Sequence, residues 1–239
     1  MWVPVATALS LARCLDGHVG AGGLDAQGMQ VLGLGVYIVY TGDRLLEHGR
    51  HWGRMHQLLW ASVGMASVFV GVRTLVDPAL WSITAVLGVL SLSYLKLKPI
   101  AALKTAVVGL TWTIGCAVLA HAPQPGWDAL WMPASGALLL AVCAGAILCD
   151  LKDAERDRHS GVRSVPVLLG ERGAMAMAAA LSLCGAGIAA TVGAWGVAGC
   201  GAAMLVLSAI PRLVRQPIAG PLSVDTALAL PGVGLWVLG

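Results

Sequence analysis

Residues 129–149 read ALWMPASGALLLAVCAGAILC, twenty-one positions without a charge, and residues 150–157 follow directly as DLKDAERD. A run of that length matches the roughly 20 residues an α-helix needs to cross a bilayer. Backbone N–H and C=O groups in hydrocarbon must find partners within the segment, and the run shows no polar alternation, so a helix is expected and a barrel strand is not. The carboxylates that end it mark the membrane boundary, because a charge at the bilayer centre costs about 3 kcal/mol on insertion scales. Asp150, Asp153 and Asp157 fall at i, i+3 and i+7, which aligns them on one helical stripe. The stripe reads either as an ordinary charged loop or as a cation site. Stacked carboxylates at a membrane boundary are costly unless neutralised, and Mg²⁺ takes oxygen ligands and joins one or two carboxylates to phosphate oxygens.

Working outward, the same punctuation recurs. Hydrophobic residues make up 58% of the 239-residue chain and charged residues 11%, far from the composition of soluble domains. Charge-free runs place spans at about 1–16, 27–42, 55–76, 78–95, 100–121 and 129–149. The uncharged stretch Gly173–Pro211 is too long for one crossing and divides near Trp195 and Gly196, and a last span covers about 220–239. The expectation is an all-α polytopic bundle of about nine transmembrane helices around a central cavity, with residues 1–239 forming one membrane domain. Met1–Ala12 lack a basic n-region and an A-x-A-like cleavage site, so they read as part of the first helix and not as a signal peptide. Small residues, as in Ala174–Ala180 and Gly196–Ala203, would let helices approach closely. The six cysteines are scattered without a C-x-x-C pair and read as small packing residues. Trp2, Trp52, Trp127, Trp131 and Trp236 suit membrane interfaces.

Basic residues give the sidedness. The loops after the second, fourth, sixth and eighth spans, with their flanking helix ends, hold thirteen of the fifteen Lys and Arg; only Arg13 and Arg73 lie elsewhere. By the positive-inside rule these loops and the N-terminus face the cytoplasm and the C-terminus lies outside, across the plasma membrane in a bacterium. Asp43, Glu47, Asp150, Asp153, Glu155, Asp157 and Glu171 fall on the same side, with Asp225 near it.

Asp43 and Glu47, in V-Y-T-G-D-R-L-L-E at residues 39–47, lie four apart and share a helical face. By itself this second pair of acids reads equally well as a solvated helix end compensated by Arg44 and Arg50. The downstream stretch D-x-x-D-x-x-x-D-R-x-x-G-V-R-S-V-P-V-L-L-G at residues 150–170, however, resembles the second aspartate motif and following signature of the UbiA superfamily of intramembrane prenyltransferases, with Ser164 in place of Thr. Residues 39–47 resemble the first motif, and Tyr94 with Leu97-Lys98 and Lys104 resembles the basic loop between the fourth and fifth spans. The resemblance implies Mg²⁺-dependent transfer of a prenyl group from an isoprenyl diphosphate to an aromatic or other lipophilic acceptor within the bilayer. It implies Asp43, Asp150, Asp153 and Asp157 as catalytic carboxylates, Asp43, Glu47, Asp150, Asp153 and Asp157 as metal ligands, and Lys98, Lys104 and Arg163 as partners of the diphosphate. Val39 and Tyr40 replace the leading Asn and Asp of the first motif, and Glu47 its last Asp. Tyr40 could reach a phosphate oxygen through its hydroxyl or stand as an interfacial aromatic.

The replacements at 39 and 40 also fit a catalytically impaired relative that binds an isoprenoid or a membrane partner. An ion transporter would need a charged relay at the bilayer midplane, for which the spans offer no obvious residues. His48, His51 and His56 lack a carboxylate-supported ligand set and are not read as a metal site. No Walker loop, dinucleotide fingerprint or Ser-His-Asp arrangement is apparent, and the net charge of +3 reflects loop sidedness, not nucleic-acid binding.

Overall fold

The computed structural model of the chain describes residues 2–19, 25–48, 54–97, 100, 103–119 and 131–238. Among these residues there are nine long helices: α1 (Trp2–Val19), α2 (Ala26–His48), α3 (Arg54–Val76), α4 (Pro78–Leu97), α5 (Leu103–Ile114), α6 (Trp131–Asp150), α8 (Val165–Thr191), α9 (Trp195–Ser208) and α11 (Ala219–Leu238). Two short helices, α7 (Ala154–His159) and α10 (Pro211–Val214), lie in connections. A π-helical turn, Gly115–Leu119, extends α5. The all-helical bundle expected from hydropathy is therefore what the chain forms. Residues 55–76, 132–159 and 165–191 are each long and apolar enough to span a bilayer, with mean hydropathies of 1.6, 2.0 and 1.7.

The run opened above becomes the centre of the molecule. Ala134, Ala137, Leu138, Ala141 and Ala144 on α6 are fully buried, and α6 packs against α5, α8, α9 and α11. Small residues permit this. A side chain on Gly185 of α8 would begin 2.9 Å from the Ala137 carbonyl, and one on Gly201 of α9 would begin 2.9 Å from the Ser182 carbonyl of α8. Backbones this close gain dispersion contacts that lipid-facing Leu and Val cannot supply. The opposite regime holds on α3, where Leu58, Met65, Val68, Leu75 and Val76 are each at least 57% exposed, as a lipid-facing helix requires.

The division inside Gly173–Pro211 falls where glycine permits it. Gly193 takes φ 75°, in the left-handed region that Cβ-bearing residues avoid, and ends α8 just before Trp195 opens α9. The eighth helix starts earlier than the uncharged run does. Ser164 is extended (ψ 160°), Pro166 sits in the first turn, and the chain coils from Val165. Glu171 and Arg172 thus lie on a helix, with Glu171 ion-paired to Arg215.

Candidate active site

The end of α6 is built to hold carboxylates. After Asp150 the chain tightens into a 3₁₀ turn, Leu151–Asp153, and resumes as α7. Gly161, at φ 73°, terminates α7. The Val162 N–H donates to the Asp157 carbonyl (2.9 Å) and the Gly161 N–H to the Arg158 carbonyl (3.4 Å), which is the paired bonding of a Schellman cap. The cap fixes the backbone of Asp157 itself. A second left-handed glycine, Gly170 (φ 69°, ψ 173°), kinks α8 in a region open essentially to glycine alone. Both glycines of the signature are thereby explained by backbone geometry.

A cavity of about 670 Å³ opens beside this turn. Asp150, Asp153 and Asp157 all line it, so the stripe survives the 3₁₀ interruption. Their surroundings differ. Asp150 accepts a 2.6 Å charge-assisted hydrogen bond from Lys104 Nζ of α5, with both side chains largely buried. Lys104 also lines the cavity, but its ammonium is directed at Asp150. Asp153 is half-exposed and 3.6 Å from its neighbour Lys152. Asp157 is 7% exposed, and its Oδ2 is buried without a hydrogen-bond partner. A buried carboxylate oxygen left unsatisfied costs free energy that a bound cation would recover.

The remaining walls come from distant parts of the chain. Tyr40 of α2 faces the cavity and meets Trp112 of α5 edge-to-face, centroids 6.2 Å apart and planes at 89°. Val39, one position earlier, is 46% exposed and turned elsewhere. Tyr94 of α4 completes the aromatic side, while Val108, Val142, Gly145 and Leu228 supply an apolar floor. Lys152 and Arg156 add cations at the acidic end, and Asp225 of α11 adds a further carboxylate.

Of the residues expected at the site, the structure brings Tyr40, Lys104, Asp150, Asp153 and Asp157 to one cavity. Arg163 is exposed and is not among its lining residues. Asp43 and Glu47 belong to the final turns of α2, but their side chains, and Lys98 as a whole, lie outside the described residues. Among the described residues no three His, Cys, Asp or Glu side chains converge closely enough to hold a metal ion. The sequence reading missed Trp112, Arg156 and Asp225 as wall residues. For Asp225 a signal was present, since it is the one charge in the stretch 216–239.

Residues 41–218 match the sequence model of the UbiA prenyltransferase family. The fold resembles the apo structure of a UbiA homolog from Aeropyrum pernix K1, with a TM-score of 0.68 over 97% of each chain at 18% identity. No curated protein matches the chain significantly.

Proposed function

The chain belongs to the UbiA prenyltransferase family, and from that premise we propose that it transfers a prenyl group from a Mg²⁺-bound isoprenyl diphosphate to a lipophilic acceptor, with Asp153 and Asp157 at the centre of the diphosphate site. The observation that carries this reading is the orphaned, buried Oδ2 of Asp157 on the wall of a cavity whose other end is aromatic and apolar.

The donor set suits a hard cation. Asp157 and the adjacent Asp153 present oxygens, and Lys104 is engaged by Asp150 and not by either of them. Helical register carries Asp43 and Glu47 one and two turns beyond Tyr40 on α2, and we assign them the facing half of the ligand set. When bound, Mg²⁺ supplies positive charge against the negative charge that develops on the departing diphosphate. Lys152 and Arg156, which also line the cavity, would add positive charge to the same end from the protein side. Lys104 acts as a positioning residue that holds the Asp150 side chain and docks α5 on α6. The rings of Tyr40 and Trp112 offer π-faces to the allylic cation, and the apolar floor excludes the water that would capture it.

Membranes carrying the full chain, supplied with radiolabelled prenyl diphosphates of several lengths, test the proposal. Metal-dependent diphosphate release that falls by ~10²-fold or more in Asp157→Ala supports it, a loss of the size typical for removing a group that stabilises developing charge. Release that persists in both Asp157→Ala and Asp43→Ala overturns the site assignment.

A further inference from the structure

Prenylation of a neutral acceptor releases a proton as well as diphosphate. The bond from C1 of the prenyl group to oxygen breaks with its electron pair leaving on diphosphate, the acceptor's electron pair forms the new bond to C1, and the resulting cation must lose a proton to a base. Among the described residues, four carboxylates line the cavity. Asp150 is held by Lys104 at 2.6 Å, and Asp153 and Asp157 carry the metal–diphosphate end in the reading above, on which this inference rests. Asp225 is different in every respect. It projects from α11, not from the motif turn, beside Leu228 and Val224 of the apolar wall. Its backbone carbonyl is anchored to α1 through the Thr7 hydroxyl (3.2 Å), while its carboxylate has no hydrogen-bond or ion-pair partner among the described residues. A lone ionisable group within a membrane span is costly and marks function more often than packing.

We propose that Asp225 is the catalytic base of the transfer step: its carboxylate takes the proton released by the acceptor once the new bond to the prenyl group has formed, and passes it to solvent at the cavity mouth. On this proposal, two jobs that both need carboxylates fall to different elements. The motif turn anchors the leaving group, and α11 serves the acceptor.

The test uses the full chain in membranes, Mg²⁺, a prenyl diphosphate and a panel of phenolic acceptors, with prenylated product, prenyl alcohol and diphosphate measured together. In Asp225→Asn, transferred product is expected to fall by ~10²-fold, the usual contribution of a positioned base. Diphosphate release should fall far less, with the prenyl group appearing as the alcohol. Asp225→Glu should restore part of the transfer. Equal loss of product and release in Asp225→Asn, or undiminished product, overturns the proposal. If the unsubstituted chain itself releases no diphosphate with any donor, the parent reading fails first, and that result is distinguishable because it needs no variant.

Discussion

Lys104 and Asp150, 46 positions apart, meet with side chains only 14% and 10% exposed. Breaking such a pair from one side leaves an uncompensated buried charge, which costs about 3–5 kcal/mol. Lys104→Ala should therefore lower the unfolding midpoint in detergent strongly, while the double change Lys104→Met with Asp150→Leu should recover most of the loss, since an apolar replacement of similar volume is often neutral. If Lys104 instead bound diphosphate alone, the double variant would be no more stable than the single one. The identity of the acidic stripe was legible because helical spacing is local. The partner of Asp150 was not, because it depends on the axial register of α5 against α6, which no spacing in the sequence encodes. Tyr40 shows the same division. The residue was recognised, but only packing against Trp112 decides between cavity and interface.

Among the elements, α7 and its cap govern the site most directly. Gly161→Ala forces a Cβ into the left-handed region at a cost of about 1–2 kcal/mol, and because the cap bonds to the Asp157 carbonyl, the damage should reach activity. Expected is a drop in diphosphate release larger than the drop in unfolding midpoint, with Gly161→Asn milder since Asn tolerates this conformation. On the packing side, Gly185→Leu has no room against the Ala137 carbonyl and should destabilise by at least about 1–3 kcal/mol through overpacking, seen as a lowered midpoint and poor recovery of folded protein. Helix positions were readable from charge-free runs, including a break close to Gly193. The early start of α8 was not, since the charges of Glu171 and Arg172 hid helical residues behind a polar surface.

For the molecule as a whole, the distribution of basic residues predicts that both acidic motifs face the cytoplasm. In a background with the six cysteines replaced, Arg163→Cys, which is exposed, should react with a membrane-impermeant thiol reagent only after the cytoplasmic side is opened. Labelling of intact cells would reverse the topology. The bundle rests on averages over many residues, which is why composition reveals it, and the expected sidedness is read from the same averages. The apolar floor of the cavity rests on a few side chains drawn from α5, α6 and α11, and only the assembled fold gathers them.

The Lys104–Asp150 pair also bears on the sequence of events in a catalytic cycle. With that lysine already satisfied, the described residues of the cavity wall set Asp153, Asp157 and Asp225 against Lys152 and Arg156, a slight excess of negative charge facing the anionic substrate proposed above. Bare diphosphate would be repelled. The donor should thus arrive only as its magnesium complex, or after the ion, and initial rates should show metal-free prenyl diphosphate to be a poor competitor for the loaded form.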